Sequence, residues 1–326
     1  MKTFLVTGGN GYIGSHMSQW LSQQGFDVVI LDDHSTSPEN EVHNYGIFYR
    51  GDISDEKLVS DILRTHKIDG VFHFAAKAIV VESEEKPFDY FFHNVTKSTN
   101  FFKVLVDNSI KNIVFSSTCS TYGVESLDGL LSEDNEQNPT NAYAVSKKLV
   151  EDVLVYLSHK YKINVALLRY FNVAGSSPKL DIGENHDPET HLIPSLCLSH
   201  IKGESMKFKL YGDQYPTEDG TCVRDYIHVC DLARAHELAF NFINKEKGLH
   251  VFNLGSGKGY SVKEVLQSFE KITGQELGYE ICPPRENDPP RLVCDITKAA
   301  KLLGFSPKYN LDDCIEHSLG YLKSKG

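Results

Sequence analysis

The segment Thr7-Gly8-Gly9-Asn10-Gly11-Tyr12-Ile13-Gly14 follows directly on the apolar stretch Phe4-Leu5-Val6 and opens a helical pattern. Glycines at GxxGxxG spacing between a strand and a helix leave little conformational choice. The first permits the tight turn, the second lets the backbone approach a pyrophosphate, and the third brings helix and strand into close contact. The helix then offers its unpaired N–H groups and the positive end of its dipole to the phosphates. Such a turn belongs to a βαβ unit, and hence to a parallel sheet covered by helices on both faces.

The rest of the first half agrees. Near-continuous apolar runs predict strands at Thr3–Thr7, Asp27–Leu31, Gly70–Phe74, Asn112–Ser116 and Asn164–Tyr170. Helical patterns with a cap residue or an N-terminal proline lie between them, at Ile13–Gln24, Asp55–His66, Pro87–Asn108 and Ala142–Tyr161. The expected fold class is α/β, a Rossmann-type doubly wound parallel sheet with a smaller C-terminal α/β substrate-binding domain. Beyond Asn172 the pattern loosens, with loop-like stretches at Gly175–Thr190, Gly212–Thr221, Gly255–Tyr260 and Cys282–Pro290. Asp225–Val229 followed by Asp231–Ile243 reads as strand then helix. The predicted organisation is therefore a dinucleotide-binding domain over 1–172, with a return at 225–252, and a second domain over 173–326.

At 326 residues the chain is long enough for two domains. Its 44 acidic against 33 basic residues, a net charge of −11, argue against a nucleic-acid partner, which would need a basic stripe. No apolar run approaches the ~18 residues of a membrane span, and the apolar stretch before the glycines is too short for a signal-peptide core. The expectation is a cytoplasmic protein without a membrane partner. The seven cysteines form no CxxC pair and show no zinc spacing with histidine. They read as reduced, mostly buried thiols, and no metal site is expected.

Asp32 ends the second strand, 18 residues beyond Gly14. A carboxylate there can accept both ribose hydroxyls and would repel a 2′-phosphate, so the cofactor implied is NAD. Asp52 and Ile53 are candidates to flank the adenine. Further on, Tyr143 and Lys147 stand four apart at the start of a helix and so share one face. A phenol of pKa ~10 is a poor base at neutral pH. An adjacent ammonium and the positive nicotinamide ring would lower that value into the working range for general acid–base chemistry. Thr118, at the end of the Ser116-Ser117-Thr118 strand, can hydrogen-bond a reacting oxygen beside the phenol.

The glycine turn, the strand-end hydroxyl and Tyr143-Ala144-Val145-Ser146-Lys147, in that order, resemble the extended branch of the short-chain dehydrogenase/reductase superfamily. The resemblance implies Tyr143 as acid/base, Lys147 as tuner and ribose anchor, and Thr118 as orienting hydroxyl. It further implies Gly8, Gly11, Tyr12, Ile13, Gly14, Phe74, Ala75, Ala76, Asn94, Ser116 and Tyr170 on the cofactor side. Dehydratases of this branch carry Asp-Glu after the threonine; here Cys119-Ser120 stands instead, which disfavours elimination. Arg169–Gly175, Glu189–Pro194 and, above all, the fifteen residues Tyr215–Val229 resemble the UDP-glucose (UDP-galactose) 4-epimerase family. That family implies hydride removal from C4 of the sugar, rotation of the keto sugar and hydride return, with UDP-glucose and UDP-galactose interconverted. Asn172, His191, Leu192, Tyr211, Arg224, Arg285 and Asp288 would line the UDP-sugar site, and Leu292 would face the sugar's 2-substituent. Leucine there is intermediate in size, which leaves UDP-N-acetylhexosamines or UDP-pentoses as the alternative substrates. A homodimer through the helices near Pro87–Asn108 and Ala142–Tyr161 is also implied.

Overall fold

The computed structural model describes residues 1–36, 44–123, 130–186, 189–203, 208–285 and 288–325. In chain order the first half runs β1 (Thr3–Thr7), α1 (Tyr12–Gln23), β2 (Asp27–Asp32), β3 (Ile47–Arg50), α2 (Glu56–Thr65) and β4 (Ile68–His73). It continues through α3 (Val80–Glu85), α4 (Pro87–Tyr90), a π-helical turn (Phe91–Thr96), α5 (Lys97–Asp107), β5 (Asn112–Thr118), α6 (Ala142–Tyr161) and β6 (Asn164–Tyr170). The second half contains β7 (Asn172–Ala174), α7 (Leu192–Ile201), β8 (Phe208–Tyr211), β9 (Val223–His228), α8 (Val229–Lys245), β10 (Leu249–Leu254) and β11 (Gly259–Ser261). It closes with α9 (Val262–Thr273), β12 (Tyr279–Cys282), β13 (Arg291–Leu292), α10 (Thr297–Leu303) and α11 (Leu311–Lys325).

Seven strands form one sheet in the order β10-β6-β5-β4-β1-β2-β3, every pair parallel. Because side chains alternate along a strand, each strand serves two cores. Phe4, Val6, Val28, Ile30, Ala166 and Leu168 pack with Met17 and Leu21 of α1 and Phe240 of α8. Leu5, Val29, Leu31, Val165 and Leu167 pack on the other face with Val59 of α2, Phe101 of α5 and Leu154 of α6. The apolar runs of the sequence are continuous because both faces are buried. The order reverses between β1 and β4, which opens a crevice at the strands' carboxyl ends.

The described residues after Asn172 contribute β10 to this sheet and α8 and α10 to the core on one of its faces, and otherwise build a smaller unit. There β9 is flanked by β7, β11 and β13, while β8 pairs with β12. Its core is Ile193, Leu196, Phe269, Ile315 and Leu319, from α7, α9 and α11.

The predicted strands and helices of the first half fall within one or two residues of the observed ones, with three differences, the first being the short helix α3, which the sequence pattern does not predict. The short β3 carries only a three-residue apolar run, Ile47-Phe48-Tyr49, exposed or half-exposed, too short to stand out from a loop. The helix expected over Pro87–Asn108 is interrupted by the π-helical turn, whose extra residue per turn swings Asn94 into the interior, 1% exposed. Of the loop-like stretches, residues 187–188 and 286–287 lie outside the described residues.

Behind the carboxyl edge, β5, β6 and α6 are tied by a buried ionic network. Arg169 Nη2 and Nε donate to Glu151 at 2.6 and 3.0 Å, and Arg169 Nη1 donates to Tyr122 Oη at 3.0 Å. Ser117 and Gln137 donate to the same carboxylate. Removing one charge strands the other in a medium that cannot solvate it. Arg169→Met should therefore lower the unfolding free energy by about 3–5 kcal/mol, measured by urea denaturation. Arg169→Met combined with Glu151→Leu should recover most of the loss; a double variant as unstable as the single one would exclude the stranded charge as the cause.

Candidate active site

Gly8 has φ +66°, and a Cβ there would lie 2.7 Å from Ala75 N, on the neighbouring strand end. At Gly14 a Cβ would lie 2.1 Å from Gly8 O. Side chains at either position would fill the cradle that the turn forms between β1 and α1. Gly11 caps α1 with no side-chain hydrogen bond, and no acid occupies the first turn, so the helix N-terminus keeps its affinity for an anion. Asp32 is buried at the end of β2. Its Oδ2 accepts from Asn10 N at 2.9 Å and its Oδ1 from His34 N at 2.8 Å, which fixes the carboxylate and leaves each oxygen a further lone pair. A phosphate cradle beside a fixed carboxylate fits a dinucleotide with a free ribose diol.

The other cofactor-side residues cluster at the same edge with differing partners. Tyr12 donates to Gly175 O at 2.6 Å, and Ile13 packs against the sheet core. Phe74 lies 4.9 Å from the His236 ring, between Ala75 and the fully buried His73; Ala76 is half-buried. Asp52 is paired with Lys97, whose ammonium, with the N–H and hydroxyl of Ser54, overcomes burial and holds the carboxyl below its ordinary range. Ile53 is part of the core packed on β2. Asn94 accepts from Lys77 N at 2.8 Å and donates to Lys77 O and Ser146 Oγ, tying the segment after β4 to α6. The Lys77 ammonium sits 3.5 Å from Glu82.

Thr118, Tyr143 and Lys147 meet where β5 ends on the first turns of α6. The helix begins there because Asn141 accepts a hydrogen bond from Ala144 N at 2.9 Å. Lys147 is 3% exposed and donates to Ser116 O at 2.9 Å, while Ser116 Oγ bonds the hydroxyl of Tyr170. Burial lowers Lys147 to about 7 against the pull of Glu151. Burial likewise pushes Tyr143 up to about 12, partly offset by a hydrogen bond with Thr118. The lowering of the phenol expected from Lys147 is thus absent in the chain by itself: desolvation prevails, and the ammonium is engaged with a backbone carbonyl. Cys119, whose thiol is raised to about 12 by burial, and Ser120, which donates its N–H to Thr118 Oγ1 at 3.1 Å, are not placed as an acid and base for elimination.

Across the crevice, Arg224 forms an ion pair with Asp288 and donates to Val223 O at 2.8 Å. The Arg285 guanidinium lies 4.6 Å from the Tyr211 ring centre. Leu292 stands opposite Arg224 in the β13–β9 register and packs on the cluster of Cys119 and Phe171, which joins this group to the end of β5. Asn172 opens β7 opposite Tyr226. Tyr215, outside the predicted set, belongs with them: its hydroxyl is buried without a hydrogen-bond partner, and the charges of Asp288, Arg224 and Arg285 reach it. Its only sequence signal was its place at the head of the fifteen-residue run. His191 and Leu192 start α7, and the His191 imidazole faces Glu184 and Glu189, not the arginine group.

The model of the NAD dependent epimerase/dehydratase family matches residues 4–255. A UDP-glucose 4-epimerase of Lactobacillus helveticus is 45% identical, covering 98% of this chain and 97% of that protein. The structure of the UDP-glucose 4-epimerase from Brucella ovis in complex with NAD superposes with a TM-score of 0.93 at 39% identity, covering 98% of each chain. That from Bifidobacterium longum in complex with NAD+ and UDP gives 0.93 at 34% identity, covering 99% of this chain and 98% of that one.

In the dinucleotide-free chain, the tyrosinate absorbance lost on Tyr143→Phe should appear only around pH 12 and at lower pH once NAD is bound. An unchanged titration with and without NAD would show that the cofactor does not tune this phenol.

Proposed function

The chain belongs to the NAD dependent epimerase/dehydratase family, and from that premise we propose that it is an NAD-dependent enzyme interconverting UDP-glucose and UDP-galactose at C4 of the sugar. The observation that carries this reading is the meeting of Thr118, Tyr143 and Lys147 at the edge of the glycine cradle, opposite the Arg224–Asp288 pair. When bound, NAD would supply a reversible hydride acceptor for C4 of the sugar.

The chain's residues do the rest. Gly8, Gly11 and Gly14 admit the pyrophosphate, with Tyr12 and Ile13 in the first turn above it, and Asp32 accepts the adenosine ribose. Asp52 and Ile53 flank the adenine. Phe74, Ala75, Ala76, Asn94, Ser116 and Tyr170 shape the nicotinamide end. Tyr143 takes and returns the proton of the 4-hydroxyl, Thr118 orients that oxygen, and Lys147 anchors the ribose and, with the cofactor's positive ring, favours the phenolate. Arg224 and Arg285 hold the diphosphate, and Asp288 fixes Arg224 in place. Asn172, Tyr211 and the backbone of His191 and Leu192 close around the nucleotide. Anchoring through UDP leaves the sugar free to turn between the two hydride steps. The NAD-binding domain spans 1–172, and the expected return at 225–252 enters it through α8 and β10 while β9 stays in the smaller sheet; the remainder of 173–326 binds UDP-sugar.

The assembly is a cytoplasmic homodimer. Phe88, Phe92, Leu149 and Tyr156 are exposed on α4, the π-helical turn and α6, an apolar face that a second copy would cover. No described helix is long and apolar enough to cross a membrane.

The purified protein should carry NAD and convert UDP-galactose to UDP-glucose with no added cofactor and no net NADH. Tyr143→Phe should reduce turnover by at least ~10²-fold while NAD stays bound; retained turnover would sink the assignment. Leu292 is the specificity position: Leu292→Tyr should abolish turnover of UDP-N-acetylgalactosamine and spare UDP-galactose, and equal loss on both would remove Leu292 from that role.

A further inference from the structure

Four side chains drawn from eight consecutive positions converge apart from the hydride-transfer residues: Glu184, His186, Glu189 and His191, the last of them the N-cap of α7. One ligating atom of each lies within 4.8 Å of all the others. His191 Nδ1 is 2.8 Å from Glu184 Oε1 and 3.0 Å from Glu189 Oε1, and His186 Nδ1 is 3.0 Å from Glu184 Oε1. The two carboxylates are only 5% and 6% exposed. Two negative charges so placed call for compensating positive charge, which a metal ion supplies in full and the imidazoles supply only while they stay protonated. Hydrogen bonding does not satisfy the group by itself. Both imidazoles turn to the same oxygen of Glu184, while its other oxygen, Oε2, is buried with no partner at all.

We propose that Glu184, His186, Glu189 and His191 form a structural site for a divalent transition-metal ion, with zinc the best match. Two imidazole nitrogens and two carboxylate oxygens suit zinc in tetrahedral coordination, whereas magnesium and calcium seek six or more oxygens. Ligands about 2.0–2.2 Å from a tetrahedral ion stand roughly 3.3–3.6 Å from one another. The nitrogen–oxygen separations here run from 2.8 to 3.8 Å, and no two of the four ligating atoms lie more than 4.8 Å apart, so entry of the ion needs shifts of about an ångström, within reach of side-chain rotation. All four positions come from the protein, which leaves no open place for a reacting water and makes the role structural. The position suits a staple. Tyr12, in the first turn of α1, bonds Gly175 at the head of this loop, and its ring lies 6.4 Å from that of His186. The ion would lock the loop's far end to α7, holding the nucleotide side of the crevice against the glycine cradle.

The test uses the NAD-loaded protein, stripped by a chelator and titrated with zinc. It should take up one zinc per chain and gain about 3–5 °C in Tm at a concentration 100-fold above Kd. Cobalt in place of zinc should give the visible absorption of a tetrahedral complex. His186→Ala and the milder Glu184→Gln should each lose the cobalt band, the zinc and the Tm gain while keeping their NAD and their turnover of UDP-galactose. No Tm gain in the unmodified protein, the same gain from magnesium, or equal zinc uptake by His186→Ala would each overturn the proposal.

Discussion

Everything at the site depends on seven parallel strands ending together. Register pairs Thr7 with Leu31 and His73, Thr118 with Tyr170, and Tyr170 with Leu254, so each chain segment leaves the sheet at the same edge. Gly8, Asp32, Phe74, Thr118 and Asn172 are far apart in sequence, yet each occupies the end of its strand or the next one or two positions. Parallel pairing also forces each connection to cross back over a face, and the returning helices bury both sides of the sheet. The crevice lies where the strand order reverses, because there successive connections leave on opposite faces.

The same arrangement determines the electrostatics. Lys147 is carried into the interior by α6 and survives there as a donor to a strand carbonyl, with Glu151 one turn later as the charge that supports its ammonium. Glu151 in turn is held by Arg169 on the adjacent strand. Tyr143 and Lys147 therefore rest on a rigid base that excludes water, and burial raises the phenol to about 12 in the chain alone. A positive ring against the tyrosine would lower a value that the protein's own lysine leaves high.

On the substrate side the logic differs. Arg224 is kept ready by Asp288 and its own neighbouring carbonyl, and Arg285 by the face of Tyr211. Polar groups of the kind that suit a nucleotide diphosphate are thus pre-positioned, while Leu292 and Cys119 form an apolar cluster without directional hydrogen bonding. Firm contacts at one end and a smooth wall at the other suit a substrate that is anchored by its carrier and must turn about it.

Local order was legible in the amino-acid chain wherever one short segment carries its own physical reason. The glycine turn, the doubly buried strands, the cap before Tyr143 and the carboxylate ending β2 are of this type, and with them came the fold class and NAD. The UDP-site runs were legible by family likeness, not by physics. What depends on distant neighbours was not. The π-helical turn that buries Asn94 has the same residue pattern as a regular helix. Tyr215 joins the arginine group only because β9, β13 and the segment before them fold together. The desolvation that sets the Tyr143 and Lys147 protons and the convergence of two glutamates with two histidines depend on which atoms share a dielectric or a cavity. Sequence spacing determines which groups can face the same way; only the packed structure decides which of them meet, and how far from water.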